Sequence, residues 1–440
     1  MNTRKIKTIA VEKLFGLYDY TLTIPSTVED NVFIIYGDNG TGKSTLLRLA
    51  YHLLASETGH SHKTFLANAA FNLFYVEFSD GTKVSAERYD ENDDYLGEYT
   101  IKYEGEETIE CHIPCEWNEE IHKFGVGFSN TGSTSRKDFR NLLLKLRSIN
   151  VYYISDNRSE EHFDTSEIRQ RRIMPSDPVE REMNQLQEWV ISQALEASKK
   201  GEEGTMDVYV KLLSKFGKRR NKNDKAMKLE DIVSEIDVLE ERATRYARLG
   251  FIPSTNYADI KSRLSKVLKT NRDAAANILE PFLETQKNRL DALDYLFETV
   301  SYFCQSLNDY LYKKHVIYSV REGFKFYQNS QESPLFINDK DEISVKKLSS
   351  GERQLLRLFS MVIRKSIVCP IIIIDEPEIS LNIKWQRRLL ETLNFFVRNS
   401  DAQFVVATHS FEILSSHLKN TVKIGESYIP QTNVRTETQL

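Results

Sequence analysis

The sequence predicts an α/β fold, in which a mixed and largely parallel sheet is interrupted by a helical insertion. Two apolar, β-branched runs, Val32–Tyr36 and Ile371–Ile374, have the composition of central parallel strands that are covered on both faces. Between about residues 164 and 314, hydrophobic residues recur at spacings of three and four, which indicates amphipathic helices. We therefore expect the two ends of the chain to form the sheet and its middle to form the insertion.

The composition is that of a globular protein. Of 440 residues, 40% are hydrophobic and 28% are charged, so a disordered or collagen-like chain is ruled out. The net charge of −5 argues against a protein that coats nucleic acid or membrane through its bulk charge. No apolar run approaches the ~18 residues that span a bilayer, and the first residues lack a signal core. With 4 cysteines the chain has no disulfide framework, and we expect a cytoplasmic protein with no membrane contact.

The pattern divides the chain into three predicted segments. Residues 1–160 form an N-terminal lobe with a β-rich part, residues 161–320 the helical insertion, and residues 321–440 a C-terminal lobe. In the insertion, two stripes of hydrophobic residues recur at helical spacing, and each extends over about three heptads. This length favours short antiparallel helices of a coiled-coil kind. A plain helical core and a seam for another subunit explain the stripes equally well. The stripe residues are Leu229, Ile232, Ile236, Leu239, Ala243 and Tyr246, and then Leu290, Leu293, Phe297, Val300, Cys304, Leu307 and Leu311.

A glycine-rich loop follows the first apolar strand and precedes a run of helix-forming residues that starts at Leu46. A strand, a loop of pattern G-x-x-x-x-G-K-S and a helix are together what a phosphate-binding loop requires. Its N–H groups and the helix N-terminus can face phosphates, Lys43 can reach the β- and γ-phosphates, and the Ser44 hydroxyl can bind Mg²⁺. The predicted ATP-binding residues are Gly37, Asp38, Asn39, Gly40, Thr41, Gly42, Lys43, Ser44 and Thr45.

Carboxylates end the isoleucine strand, and a histidine ends another apolar strand. We expect Asp375 to hold the metal together with Ser44, and Glu376 beside it to accept a proton from the attacking water. The run Gln403–Thr408 predicts a third strand, which is followed by His409. Because ligands gather at the C-terminal ends of parallel strands, we expect His409 to contact the γ-phosphate.

A second anion-binding element is predicted where Leu348 precedes an apolar helix. Ser349, Ser350, Gly351 and Glu352 offer hydroxyls and N–H groups at the start of this helix. Taken alone, the three-residue spacing of Ser349 and Glu352 also fits an ordinary capping box. One nucleotide needs one phosphate-binding loop, so a second such element suggests a nucleotide shared between two subunits.

These four motifs resemble an ABC-type ATPase head of the SMC and RecF kind. They are GDNGTGKS, LSSGERQ, IIIIDEPE and ATHS, and the run DEPEISL is more similar to the OLD-like ATPases of bacterial antiphage systems. The resemblance covers roughly residues 4–90 and 335–425. It implies ATP and Mg²⁺ as ligands, head-to-head dimers within a larger homo-oligomer, and Ser349 and Gly351 at the γ-phosphate of the partner's ATP. It also implies Glu376 as the base and His409 as the switch histidine.

The sequence departs from this group in two places. Asn382 stands where the OLD-like group commonly has histidine. No glutamine matches the Q-loop, the segment of such heads in which a strand ends near the nucleotide. Asp156 and Arg158 are candidates for that position, and a solvated loop explains them equally well.

The resemblance extends to a biological role. The ATPase subunits of split antiphage systems such as PARIS and Septu work with a separate Toprim or HNH effector, and this chain shows no nuclease motif of its own. It is therefore expected to sense an invading phage and to hold or release a toxic nuclease. A DNA-repair or chromosome-associated ATPase, and an ATP-bound scaffold without significant turnover, are the alternatives.

A cluster of basic residues in the insertion has two interpretations. It can contact nucleic acid or an acidic partner, or it can be a solvated loop, which is the commoner case. Its members are Lys215, Lys218, Arg219, Arg220, Lys222, Lys225 and Lys228.

Overall fold

A computed structural model of the chain describes residues 4–24, 31–56, 61–88, 95–127, 133–156, 177–217, 229–254, 256–267, 271–328, 341–415 and 417–425. Within them the chain forms two compact units, each with a core of its own: Met1–Pro175 with Val362–Leu440, and Ser176–Met361. Among the residues that the structure describes, no helix combines the length and hydrophobicity needed to cross a lipid bilayer.

The strands, in chain order, are β1 Ile6–Leu14, β2 Tyr18–Thr23, β3 Val32–Tyr36, β4 Leu73–Phe78, β5 Lys83–Glu87, β6 Tyr99–Glu104, β7 Thr108–Ile113, β8 Cys115–Asn118, β9 Lys123–Val126, β10 Val151–Ile154, β11 Lys314–Ser319, β12 Gly323–Gln328, β13 Glu342–Ile343, β14 Ile371–Asp375, β15 Gln403–Thr408 and β16 Thr421–Lys423.

The helices are α1 Lys43–Leu54, α2 Ser61–Ala67, α3 Ser133–Arg147, α4 Pro178–Gly217, α5 Leu229–Leu249, α6 Tyr257–Leu264, α7 Arg272–Tyr310, α8 Ser350–Lys365, α9 Ile383–Val397 and α10 Phe411–Ser415. Short 3₁₀ turns cover Val345–Lys347 and Leu418–Asn420.

A five-stranded parallel sheet forms the centre of the first unit, with strand order β10-β14-β15-β3-β16. The register pairs Asp375 with Ala407, and Ala407 with Ile35. The C-terminal ends of β14, β15 and β3 therefore meet at one edge. All five residues of β14 are buried, as expected for a strand covered on both faces. The predicted α/β fold with a parallel sheet is confirmed.

An antiparallel sheet with order β2-β1-β4-β5-β6-β7 completes this unit. Burial alternates along β4 and β6, so each strand turns one face inward. The inward residues join those of the parallel sheet and α1 in a single hydrophobic cluster that includes Ile9, Phe33, Leu46, Val76 and Ile101.

Helix α1 is fixed at its C-terminal end by a buried lysine from α2. Lys63 Nζ donates to the carbonyl oxygens of His52 at 3.1 Å, Leu53 at 3.0 Å and Ala55 at 3.4 Å. The amine is a suitable donor there because the last carbonyls of a helix have no hydrogen-bond partner within the helix. The helix that begins at Lys43 is thereby held at its far end.

The second unit is mainly helical. Helix α7 packs along α4 and α5, and β11, β12 and β13 form a small antiparallel sheet. The stripe residues Ile232, Ile236, Leu290 and Leu293 are buried in the core of this unit, so the periodicity reflects a core of the chain itself.

Helix α7 is longer than the hydrophobic stripe that starts at Leu290. It begins at Arg272 and contains Pro281. A proline removes one helical hydrogen bond, and packing along α4 outweighs that cost.

Candidate functional site

The glycine-rich loop curls around the ammonium group of Lys43. Lys43 is the first residue of α1 and is buried, and its Nζ donates to the carbonyl oxygens of Gly37 and Asp38, at 2.8 Å each. Gly40 and Gly42 have φ values of 83° and 86°, in the left-handed region that favours glycine. Asp38, Asn39 and Gly40 are exposed. The exposed residues of the loop thus lie over the buried ammonium group of Lys43.

Two glycines of the loop are required by packing. A Cβ atom at Gly37 would lie 2.4 Å from Ile424 Cγ2 and 2.7 Å from the Ile424 carbonyl oxygen. At Gly42 it would lie 2.8 Å from Leu14 Cδ2. Neighbouring strands therefore close on the loop from both sides. The hydroxyl of Thr41 also donates to the Asp38 carbonyl oxygen at 2.9 Å, and Thr45 follows within α1.

Asp375 is the buried carboxylate at the end of β14. Its Oδ1 accepts a 3.1 Å hydrogen bond from Ser44 Oγ, and its Oδ2 accepts one of 3.1 Å from the hydroxyl of Tyr153. Burial raises the pKa of Asp375 to about 6, and the charges of Glu376 and Asp156 add to that shift, against the lowering effect of the two hydrogen bonds. A hydroxyl and a carboxylate oxygen are hard donors of the kind that Mg²⁺ takes in proteins.

Glu376 has an uncommon backbone conformation. Its φ is 46°, a region that residues other than glycine rarely adopt, and its N–H donates to the Ala407 carbonyl oxygen at 2.9 Å. The hydrogen bond to β15 holds the residue there. Its carboxylate is partly exposed, and Oε1 lies 3.7 Å from His409 Nδ1.

Glu378 is a second buried carboxylate, and it binds the end of β15. Its Oε1 accepts hydrogen bonds from the hydroxyl of Thr408 and from the backbone N–H groups of His409 at 2.8 Å and Ser410 at 3.0 Å. The same oxygen lies 3.3 Å from His409 Nδ1. The Ser410 hydroxyl donates in turn to Gln386 Oε1 at 2.7 Å. These contacts fix the histidine beside Glu376.

The turn Ser349–Glu352 belongs to the second unit and forms a reciprocal capping box. Glu352 Oε2 accepts from the Ser349 N–H at 2.7 Å, and Ser349 Oγ accepts from the Glu352 N–H at 3.4 Å. Glu352 also accepts a 2.7 Å hydrogen bond from Lys314 Nζ, which with the Ser349 bonds holds the pKa of this carboxyl below its usual range against the raising effect of burial. Ser349 and Ser350 are exposed, whereas Gly351 is buried.

The next residue of this helix binds the start of a long helix in the same unit. Arg353 donates to Asp177 Oδ2 at 2.7 Å, and Asp177 Oδ1 accepts from the Val179 N–H at 2.9 Å. The first turn of α8 is therefore bonded both to the start of β11, through Lys314, and to the start of α4.

The places where the sequence departs from the ABC-type group have partial structural explanations. Asn382 caps α9, since its side chain accepts from the Trp385 N–H at 3.0 Å, so a helix cap occupies that position. Asp156 lies two residues after the end of β10 and is exposed, while Arg158 lies outside the described residues. The side chain of Lys215 and the other six members of the basic cluster also lie outside them.

The structure therefore brings together Lys43, Ser44, Asp375, Glu376 and His409 at one edge of the parallel sheet. Sequence reasoning missed three contributors, Tyr153, Glu378 and Gln386. Glu378 stands inside the quoted IIIIDEPE motif, which was a usable signal. Tyr153 carries no local signal, because its hydrogen bond joins residues that are distant in the chain.

One family model and one known protein are similar to the chain in sequence. A model of the AAA ATPase domain matches residues 5–414. The retron Vc95 probable ATPase of Vibrio cholerae serotype O1 biovar El Tor is 30% identical over 99 residues, a stretch that covers 20% of this chain and 19% of that relative. The chain thus matches about a fifth of the length of that relative.

Solved structures of Smc heads align over most of the chain with low similarity. The Pyrococcus furiosus head with an extended coiled coil, bound to the C-terminal domain of ScpA, is 14% identical, with a TM-score of 0.39 and coverage of 96% of this chain and 93% of that one. The Pyrococcus yayanosii head with a coiled coil and joint is 9% identical, with a TM-score of 0.36 and coverage of 96% and 95%.

Proposed function

This chain belongs to the AAA ATPase domain family, and we propose that it binds Mg²⁺–ATP at Gly37–Thr45 and hydrolyses it to ADP and phosphate. The observation that carries the proposal is the hydrogen bond of 3.1 Å between Ser44 and Asp375. It joins the loop to a buried carboxylate, beside which stand a second carboxylate and a histidine. That combination can bind a triphosphate with its metal and also activate water.

Each residue has a proposed role that follows from its position. The loop N–H groups and Lys43 bind the phosphates, because they lie at the positive end of the α1 dipole. Ser44 and Asp375 supply oxygen ligands for Mg²⁺, which neutralises phosphate charge when bound. Glu376 is the general base that takes a proton from the attacking water, and its partly exposed carboxylate is accessible to that water.

His409 is proposed to contact the γ-phosphate. It follows β15, which lies between the strand of the glycine-rich loop and the strand of Asp375. Its side chain is 45% exposed, so its ring is accessible to a bound nucleotide while its backbone is held by Glu378.

We further propose that two copies assemble head to head, within a larger homo-oligomer, and that the Ser349–Glu352 turn binds the γ-phosphate of ATP held by the partner. The exposed hydroxyls of Ser349 and Ser350 at the start of α8 support this role, because a helix N-terminus favours an anion. In this proposal residues 1–160 and 321–440 are the two lobes of the head. Residues 161–320 are an insertion that transmits the nucleotide state of the head.

The proposed biological role is antiviral defence, in which the ATPase holds or releases a separate Toprim or HNH nuclease. The match to a retron ATPase supports this role, as does the resemblance of the DEPEISL run to ATPases of antiphage systems. ATP binding and hydrolysis would favour different arrangements of the heads, and that difference supplies the free energy for holding or release.

The test of the enzymatic proposal is Glu376→Gln. We expect the variant to lose phosphate release at saturating Mg²⁺–ATP while it keeps ATP binding and ATP-dependent association, measured by light scattering after size exclusion. Glu391→Gln, at an exposed position of α9, is the matched control and should hydrolyse ATP at the wild-type rate. Full turnover by the Glu376 variant would refute the assignment of the base.

The test of the biological role uses the same variant. Tagged Glu376→Gln protein is recovered from its native host with ATP present, and its partners are identified by mass spectrometry. A nuclease-like protein in stoichiometric amount supports the defence role. Recovery of DNA and repair proteins alone would contradict it.

A further inference from the structure

Glu378 is a buried carboxylate that forms no ion pair with a lysine or arginine among the described residues. Its side chain is 3% exposed, and within the described part of the chain the group at ion-pair distance is His409, with no lysine or arginine there. Its Oε2 atom is buried and has no hydrogen-bond partner among the described residues. Burying a carboxylate in this way costs free energy that an amide or an apolar side chain would avoid. The carboxylate is therefore retained at a cost to stability.

The contacts of Glu378 point to what the carboxylate does. The hydrogen bonds of its side chain all involve Oε1, and they all go to the consecutive residues Thr408, His409 and Ser410. Two of the hydrogen bonds hold the backbone of this stretch, and the same Oε1 lies within ion-pair distance of the ring, at 3.3 Å from His409 Nδ1. Glu376 Oε1 is farther from the same atom, at 3.7 Å, and is more exposed.

We infer that Glu378 is a positioning residue for the proposed ATP hydrolysis, on which this inference rests, and that it acts through His409. A carboxylate beside Nδ1 holds the ring in one orientation, and the other ring nitrogen, Nε2, is then placed so that a hydrogen on it can be donated to the substrate phosphate. With Glu378 holding the ring, Glu376 is not needed for that contact and keeps its carboxylate for the attacking water.

The test is a double-mutant cycle between Glu378→Gln and His409→Ala, read in kcat and KM for Mg²⁺–ATP. Glutamine has the shape of glutamate and keeps an oxygen acceptor for Thr408 and for the two N–H groups. We expect Glu378→Gln to lower kcat by about 10- to 100-fold, as losses of supporting partners commonly do, with KM nearly unchanged. In the His409→Ala background the same substitution should have no further effect on kcat, because the ring through which it acts is gone.

The outcomes distinguish a failure of the positioning role of Glu378 from a failure of the proposed ATP hydrolysis. Losses of kcat that multiply in the double variant would overturn the positioning role, since a merely structural effect acts whether or not His409 is present. Absence of phosphate release by the wild type would overturn the proposed function and this inference with it. If the glutamine variant does not fold, as judged by its thermal midpoint, Glu378→Asp in the same cycle decides by the same criterion.

Discussion

Ser44 Oγ and Asp375 Oδ1 lie 3.1 Å apart although 331 residues separate them in the chain. One residue stands at the start of α1 and the other at the end of β14. They meet because β15 pairs with β14 on one side and with β3 on the other, which aligns the C-terminal ends of all three strands. The candidate site is thus a property of the sheet, and no single segment contains it.

Replacing Ser44 by alanine should weaken Mg²⁺-dependent turnover, because one of the two proposed oxygen ligands is lost. We expect the Mg²⁺ concentration for half-maximal phosphate release to rise about tenfold or more, corresponding to about 1.4 kcal/mol of binding free energy. Ser44→Thr is the control, since it keeps the hydroxyl, and its Mg²⁺ dependence should stay near that of the wild type. Equal Mg²⁺ curves for the alanine variant and the wild type would contradict the assignment.

Replacing Gly37 by alanine should distort the loop, because the new Cβ meets the backbone oxygen of Ile424 at 2.7 Å and backbone cannot give way cheaply. We expect a destabilisation of about 1–3 kcal/mol and loss of ATP binding, measured by thermal unfolding and by nucleotide titration. Gly81→Ala is the comparison. Gly81 has φ of 85° and nothing within 4 Å of a built Cβ, so that variant should show backbone strain alone, with ATP binding intact.

The buried Lys63 should make stability depend on pH just above neutrality. Burial lowers the pKa of Lys63 to about 7, against a smaller raising effect of Cys111. Between this value and the ordinary pKa of lysine the unfolded chain binds more protons than the folded one, so stability rises with pH there, by up to about 1.4 kcal/mol per pH unit.

The measurement is chemical denaturation at several values between about pH 7 and 8, below the ordinary thiol pKa of about 8.5. Lys63→Met should flatten the slope, whatever its effect on stability itself. Lys384→Met, at an exposed position of α9, should leave the slope unchanged. The same slope in Lys63→Met as in the wild type would show that another group causes it.

Removing the partner of Glu352 should destabilise the second unit. Lys314→Met leaves a carboxylate whose side chain is 6% exposed without its cation, and we expect a loss of about 2–3 kcal/mol. The double variant Lys314→Met with Glu352→Gln should recover part of the lost free energy of unfolding, because it no longer buries an unpaired carboxylate. Lys325→Met breaks an ion pair with Glu342 in the same unit whose side chains are 33% and 41% exposed, and it should leave the thermal or chemical unfolding transition nearly unchanged, because solvent screens an exposed pair.

The strands and the loop of the candidate site could be predicted because their signals are local. Val32–Tyr36 and Gln403–Thr408 are observed as strands at the predicted bounds, and the isoleucine run forms β14. What could not be predicted depends on which strands become neighbours. The bond of Tyr153 to Asp375 exists because β10 pairs with β14, and nothing near either residue encodes that pairing. The roles assigned to the site residues, and the three-segment division, remain predictions.

The position of β3 in the sheet has a consequence for how the protein is made. Both of its neighbours, β15 and β16, follow the second unit in the chain, whereas β3 precedes that unit. The second unit, Ser176–Met361, is complete before either neighbour has been synthesised. The strand that carries the glycine-rich loop therefore remains apolar and unpaired in the sheet until β15 has been synthesised, and an exposed edge of this kind is prone to aggregate. A ribosome that stalls before β15 would leave a nascent chain whose helical unit can fold but whose nucleotide site does not yet exist.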